Sequence, residues 1–157
     1  MAHYLRAENP VRDVDPRPVL VLSYETGDTA SLVGDLRGLG RVAVSIDAYD
    51  TALEMMQVVE FAVVIVNIDD AADWHTCERI AATAACPVSV VTRFLARDRR
   101  YRVRAFGAGV AAYVCRPCSK ACLREMLIRA KSGEIGIELV RGAGYCLMEP
   151  DGRLAEG

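Results

Sequence analysis

Long apolar runs are missing from this sequence of 157 residues. No run approaches the ~20 apolar residues that a membrane-spanning helix needs, so no segment is expected to cross a membrane. Residues 1–17 are polar, contain prolines and lack the apolar segment of a secretory signal peptide. We therefore expect residues 1–17 to form a flexible leader and the protein to be cytoplasmic.

The histidines and cysteines do not form a complete metal-binding set. The sequence has 2 His and 6 Cys, and its densest group is Cys115, Cys118 and Cys122. Structural zinc takes four ligands, and this group supplies only three. Reduced cysteines pack as small apolar residues, which suits the apolar segments in which most of them stand. The sequence therefore predicts no metal and no cofactor, with a Cys115–Cys118 redox pair as the alternative.

Charge is spread unevenly along the chain, although the formal net charge is only −2. Residues 1–92 carry 6 basic and 14 acidic side chains, whereas residues 93–131 carry 11 basic and 2 acidic ones. A local field this one-sided steers association with oppositely charged partners.

Short apolar segments alternate with helical patterns along the chain. The segments are typical of strands covered on both faces, and they lie at Val19–Ser23, Val42–Ile46, Val63–Asn67, Val88–Thr92 and Ala111–Cys115. A helix is predicted after each of them, near residues 26–39, 51–60, 72–85, 98–106 and 119–131. Connections this short require parallel strands joined by helical crossovers. The sequence therefore predicts an α/β domain, a five-stranded parallel sheet with helices on both faces.

Polar residues stand at or just past the carboxyl ends of these strands, where folds of this class bind ligands. They are Ser23, Asn67, Thr92 and Arg116. Asn67 ends the third strand, and Asp69 and Asp70 follow almost at once. We expect Asn67 to line the crevice at this edge of the sheet. The alternative is a strand-end asparagine that satisfies nearby backbone groups.

Several segments resemble the receiver domain of bacterial response regulators. They are Ala48–Met56, Pro87–Thr92 and Ala105–Pro117, and they follow the order and spacing of that family. The resemblance covers roughly Val19 to Lys131 and implies a receiver-like domain over residues 18–132. It also implies a flavodoxin-like sheet with the strand order 2-1-3-4-5.

The phosphorylation chemistry of receivers does not carry over to this sequence. Receivers have two acids at the end of the first strand, where this sequence has Ser23 and Tyr24, followed by Glu25. The phosphoacceptor aspartate matches Asn67, and the family's lysine matches Arg116. The residues that keep the family pattern are Thr92, the switch-type aromatic Tyr113 and Pro117.

An amide is a poor replacement for the missing carboxylates. Mg²⁺ prefers anionic oxygen ligands, and acyl phosphate forms on a carboxylate nucleophile. We therefore expect a pseudo-receiver with a degenerate phosphorylation pocket, no catalytic residue, and Arg116 hydrogen-bonded to the Asn67 carbonyl. Two alternatives stay open: a relocated metal site made of Glu25, Asp69 and Asp70, and a small-anion site near Arg116.

The tail, residues 133–157, resembles part of a second family. The segment Ile137–Leu147 is similar to the C-terminal hairpin of OmpR-type winged-helix domains, with Leu139 in place of a threonine. The recognition helix of such a domain is absent from the sequence. The resemblance implies a remnant β-hairpin, which we expect to pack on the domain or on a partner because a lone hairpin is marginal in water.

The basic stretch predicts an interaction face on the fourth and fifth helices. Its cations recur at helical spacing and include Arg97, Arg100, Arg104, Lys120 and Arg124. The resemblance implies that the fourth helix, fifth strand and fifth helix form one face, which winged-helix regulators use for dimerisation. We therefore expect a phosphorylation-independent module that binds a protein partner or itself, as a homodimer, in bacterial signalling or transcription control. Nucleic-acid binding through the arginines is the alternative, and DNA binding by the chain alone is not expected.

Overall fold

Six strands and five helices occur in the part of the chain that the structure, a computed structural model, describes. That part comprises residues 15–23, 26–68, 74–92, 99–115, 119–131 and 137–139. The strands are β1 (Val19–Ser23), β2 (Ala43–Ile46), β3 (Val63–Asn67), β4 (Val88–Thr92), β5 (Ala112–Cys115) and β6 (Ile137–Leu139). The helices are α1 (Thr26–Gly38), α2 (Tyr49–Val58), α3 (Trp74–Thr83), α4 (Arg99–Gly107) and α5 (Lys120–Lys131).

The strands form one parallel sheet in the order β2-β1-β3-β4-β5-β6. The first five strands therefore stand in the predicted order 2-1-3-4-5, and the predicted α/β class is confirmed. β1, β3 and β4 are buried along their whole length. Their apolar sequences lack polar alternation because helices cover both faces of the sheet. Within the described ranges, none of the helices combines the length and apolar character needed to cross a bilayer.

Alternating side chains divide the core into two apolar layers. One layer packs Val19 and Val21 of β1 against side chains of α1 and α5, such as Leu36 and Leu123. The other layer contains Leu20 and Leu22 of β1 and side chains of α2, α3 and α4. The period of two along the strands thus places α1 and α5 on one face of the sheet and the other three helices on the opposite face.

Glycines and a serine mark several helix ends. Gly40 and Gly109 each follow a helix and have φ values of 81° and 98°, a region that residues with a side chain disfavour. Ser119 precedes α5, and its Oγ accepts a hydrogen bond of 3.1 Å from the backbone N–H of Cys122. α2 begins at Tyr49, two residues before the start predicted from the sequence. Asp50 therefore lies in the first turn, where the helix dipole favours a carboxylate.

The described part of the tail is one short strand at the edge of the sheet. Ile137–Leu139 forms a sixth strand parallel to β5, with Ile137 opposite Ala112 and Leu139 opposite Val114. It extends the sheet and pairs with backbone groups that an edge strand leaves open. The rest of the predicted hairpin, residues 140–157, lies outside the described residues.

The described end of the expected leader contacts the domain. Arg17 donates hydrogen bonds to Asp15 at 2.6 Å and to Glu60 at 3.2 Å. The hydrogen bonds and the charge of Arg17 hold the pKa of the Asp15 carboxyl well below its usual range. Residues 1–14 lie outside the described residues.

Replacing Ile65 with alanine should destabilise the fold strongly. Ile65 is fully buried in β3, so Ile65→Ala leaves a cavity and should lower the free energy of unfolding by about 2–5 kcal/mol. Ile128 is 53% exposed, and the control Ile128→Ala should cost about 0.5 kcal/mol or less. Urea denaturation followed by far-UV circular dichroism measures both values. Equal losses in the two variants would contradict this account of the core.

Candidate functional site

Ser23 and Asn67 lie side by side at the carboxyl edge of the sheet. The register between β1 and β3 places Ser23 directly opposite Asn67. The Nδ2 of Asn67 donates a hydrogen bond of 3.0 Å to the Oγ of Ser23. Both residues are only 4% exposed. Two of the strand-end residues identified in the sequence thus form one buried polar pair.

The other polar atom of the Asn67 side chain has no hydrogen bond within the described ranges. Its Oδ1 is buried and has no donor among the described residues. A buried acceptor in this state costs roughly 1–3 kcal/mol. The donor expected from the sequence, Arg116, lies outside the described residues. Within the described part of the chain, Ser23 is therefore the residue that orients the Asn67 amide.

Thr92 and Tyr113 lie toward the opposite face of the sheet from this pair. Thr92 ends β4 and is fully buried, as is Tyr113 in β5. Tyr113 belongs to the layer of α2, α3 and α4, and strand alternation assigns Thr92 to the same layer. By that alternation Ser23 and Asn67 project toward α1 and α5. The described residues of the predicted pocket are therefore divided between the two faces.

Tyr113 is held between two other aromatic rings. The ring of Trp74, at the start of α3, stacks on it with centroids 6.4 Å apart and an angle of 12° between the planes. Phe106 of α4 contacts it with centroids 6.3 Å apart at a tilt of 54°. Aromatic pairs at such distances contribute about 0.5–1.5 kcal/mol beyond their buried area. The cluster ties α3 and α4 to β5 and keeps the Tyr113 side chain inside the core.

Part of the predicted site lies outside the described residues. This applies to Tyr24, Glu25 and Arg116 of the predicted pocket, to Arg97 of the interaction face, and to Asp69 and Asp70. The proposed roles of these residues remain predictions. Among the residues that are described, no three His, Cys, Asp or Glu side chains are grouped so that they could hold a metal ion.

The described cations of the interaction face are exposed on two helices. We use the name basic face for Arg100 and Arg104 of α4 together with Lys120 and Arg124 of α5, all of them exposed. The Nε of Arg104 donates a hydrogen bond of 2.6 Å to Glu78 of α3. An exposed ion pair of this kind is worth about 0–1 kcal/mol, so a partner can displace it at little cost.

Apolar side chains are exposed beside these cations. Val103 of α4 is 45% exposed, and Ile128 of α5 is 53% exposed. Exposed apolar residues that stand among charged ones are a common feature of interaction surfaces. The basic face therefore combines charge with a small amount of apolar surface.

The described cysteines behave as buried apolar residues. Cys77 and Cys122 are buried, and Cys86 is half-buried. Burial raises the pKa of the Cys77 thiol to about 12, and the nearby charge of Glu78 acts in the same direction. Burial also raises the pKa of Cys86. Because the thiolate is the reactive form, neither thiol is suited to redox or nucleophilic chemistry.

A cavity of about 370 Å³ lies at the opposite end of the sheet. Its lining includes Arg17, Phe61 and Cys86, which precede β1, β3 and β4 respectively. A strand of five residues spans roughly 17 Å, so the cavity is well separated from Ser23 and Asn67. It does not belong to the site at the carboxyl edge.

Solved structures similar to this chain are receiver domains and response regulators. A response regulator from Thermotoga maritima is 16% identical, with a TM-score of 0.65, over 75% of this chain and 99% of that one. The receiver domain of a signal transduction histidine kinase from Syntrophus aciditrophicus is 18% identical, with a TM-score of 0.60, over 74% and 91%. The receiver domain of a modulated diguanylate cyclase from Desulfovibrio desulfuricans G20 is 22% identical, with a TM-score of 0.63, over 76% and 96%. No protein-family model and no curated protein matches the sequence. The chain thus has the fold of response-regulator receiver domains.

Removing the Ser23 hydroxyl should destabilise the protein through Asn67. Ser23→Ala leaves the buried Nδ2 of Asn67 without its acceptor, which should cost about 1–3 kcal/mol of unfolding free energy. The matched control is Ser89→Ala, because Ser89 is fully buried in β4 and its Oγ has no hydrogen-bond partner in the described part of the chain. That control should be neutral or slightly stabilising. Chemical denaturation compares the variants, and a Ser23→Ala variant as stable as the control would show that the hydrogen bond is not a determinant of stability.

Proposed function

We propose that this protein is a degenerate receiver that works without phosphorylation, as a protein-interaction or dimerisation module in bacterial signalling or transcription control. The proposal rests above all on the buried hydrogen bond between Asn67 and Ser23. According to the family resemblance, receivers have the phosphoacceptor carboxylate at the position of Asn67 and a metal-binding acid at the position of Ser23.

The chemistry of this pair opposes phosphorylation. A neutral amide lacks the negative charge with which a carboxylate attacks a phosphoryl group, and its nitrogen is engaged as a donor. A serine hydroxyl is a weak ligand for Mg²⁺, which favours carboxylates. We infer that the hydrogen bond between Asn67 and Ser23 fixes the geometry of this pocket. In receivers, metal and phosphate control that geometry. We propose a non-enzymatic role for the same reason.

The aromatic cluster supports a switch held in one position. Tyr113 is the switch-type aromatic of the resemblance, and it is fully buried between Trp74 and Phe106. To leave this position it would lose both ring contacts and expose its ring to water. At about 25 cal/mol per Å² of apolar area, such exposure is costly for an aromatic side chain. We infer that Tyr113 stays in the core whatever the state of the pocket.

The basic face is the surface that we propose for output. Its cations project from α4 and α5, next to Val103 and Ile128. Because β6 pairs with the edge of β5, a partner is offered the outer surfaces of these helices rather than the open backbone of β5. We propose a cytoplasmic protein with a receiver-like domain over residues 18–132 and a winged-helix remnant over residues 133–157.

Phosphodonors should leave the protein unmodified. Incubation with acetyl phosphate and Mg²⁺ should add no phosphate to the intact mass, and beryllofluoride with Mg²⁺ should leave the NMR spectrum unchanged, because the carboxylate nucleophile is missing. The double variant Ser23→Asp/Asn67→Asp, treated in parallel, tests whether these two positions are the reason why the wild type is not phosphorylated. A covalent phosphate on Asp69 or Asp70 of the wild type would contradict the proposal.

Charge reversal on the basic face should abolish binding without unfolding the protein. Arg100→Glu/Arg124→Glu introduces like charges toward an acidic partner, which should weaken self-association or partner capture roughly tenfold or more. The control Arg37→Glu/Arg79→Glu changes the net charge equally on α1 and α3, where both arginines are exposed. Sedimentation velocity and pull-down from the native host measure the effect. Binding that survives only in the control supports the proposal, whereas equal binding by both variants places the interface elsewhere.

Nucleic-acid binding is the competing outcome of the same experiment. The recognition helix of a winged-helix domain is absent from the sequence, but cations alone bind phosphates with strong dependence on salt. A shift of duplex DNA by the wild type at physiological salt, lost in Arg100→Glu/Arg124→Glu, would favour that function over protein binding.

A further inference from the structure

An acidic surface lies along α2. Asp47, Asp50 and Glu54 are spaced by three and four residues, and all three are exposed. Asp50 and Glu54 belong to α2 and share one side of it at this spacing, whereas Asp47 precedes the helix, whose N-cap Ala48 is extended. Val58, one turn further on, is 82% exposed and is the most exposed large apolar residue in the described part of the chain. We use the name acidic face for these four residues.

The two helices of the basic face carry the opposite charge, and each also has an exposed apolar side chain. On α5, Arg124, Ile128 and Lys131 are spaced by four and three residues, and all are exposed. On α4, Arg100 and Val103 repeat the combination of a cation and an exposed apolar residue. Each face therefore combines charges of one sign with exposed apolar side chains, and the charges of the two faces are opposite.

The two faces are too far apart to meet within one molecule. α2 contacts β1, whereas α4 and α5 contact β5, and β3 and β4 lie between those strands. With ~4.8 Å between neighbouring strands, the two sites of contact are roughly 14 Å apart along the sheet. Contact between the faces therefore requires two molecules.

We propose that the acidic face of one copy of this protein docks on the basic face of a second copy. This proposal rests on the proposed function and names its partner. Asp50 and Glu54 of α2 would approach the cations of α5, such as Arg124, and Val58 would approach Ile128. Because the two surfaces differ, the contact is head to tail, and each added copy presents both faces again.

The size of the faces indicates a weak and salt-sensitive contact. α2 has 10 residues, which corresponds to a length of about 15 Å. A contact of this length lies at the low end of specific interfaces, where complexes are transient. Exposed charges are screened over about 8 Å at physiological ionic strength, so association should rise with protein concentration and fall with added salt.

The test mixes two variants, each with one reversed face. Asp47→Arg/Glu54→Arg makes the acidic face basic, and Arg100→Glu/Arg124→Glu makes the basic face acidic. Sedimentation velocity at low salt should show the wild type associating, each variant alone associating at least about tenfold more weakly, and an equimolar mixture recovering association. Recovery follows because each altered face then meets a face of opposite charge. Circular dichroism confirms that both variants are folded.

Apolar substitutions provide a second measurement that does not alter charge. Val58→Ser removes the exposed apolar side chain of the acidic face and should weaken association. Val42→Ser is the matched control, since Val42 is also exposed, at 61%, but lies outside both faces. Equal association by these two variants would contradict the role given to Val58.

Other outcomes separate this inference from the proposed function. If Asp47→Arg/Glu54→Arg alone associates like the wild type while Arg100→Glu/Arg124→Glu does not, the basic face binds but its partner is not α2, and only the inference is wrong. If both variants associate like the wild type, the basic face does not mediate self-association and the inference is wrong, while the pull-down with Arg100→Glu/Arg124→Glu tests the proposed function separately. A wild type that stays monomeric at high concentration and low salt overturns the inference.

Discussion

The parallel pairing of β1 with β3 is the constraint on which the rest of the structure depends. Its register places Ser23 opposite Asn67, and it aligns the apolar residues of both strands with the two core layers. A slip of one residue would turn every side chain of a strand to the other face. The packing of the whole core therefore fixes the position of the polar pair, and the pair cannot shift without disturbing both layers.

A neutral pair at this position has a physical property that a cluster of carboxylates lacks. Neither a serine hydroxyl nor an asparagine amide titrates at physiological pH. Two or three buried carboxylates would repel one another and would require a cation for stability. The Ser23–Asn67 hydrogen bond of 3.0 Å needs neither protons nor metal. Its geometry should thus be the same under conditions that would alter a charged pocket.

The sequence predicted the buried strands well and the packing details poorly. The bounds of β1, β3 and β4 agree with their apolar runs because burial on both faces leaves a clear signal. The predicted start of α2 was wrong, because the sequence placed it near residue 51 and the helix begins at Tyr49. The strand ends placed Ser23 and Asn67 at the same edge of the sheet, but the sequence predicted neither their direct pairing nor their hydrogen bond. Stacking of Trp74 on Tyr113 depends on how α3 packs against β5, which are far apart in the sequence. Parallel pairing of the three residues of β6 depends on the open edge of β5, which no local sequence pattern reveals.

The two core layers also differ in chemical composition. The layer of α1 and α5 consists of aliphatic side chains with one methionine and one cysteine. The buried aromatic side chains of the described part, Phe61, Trp74 and Tyr113, all belong to the layer of α2, α3 and α4. Trp74 is the one tryptophan of the sequence, so tryptophan fluorescence reports on that side of the sheet, whereas methyl resonances would be needed to observe the aliphatic layer. A local opening beneath α1 and α5 would leave the tryptophan emission almost unchanged.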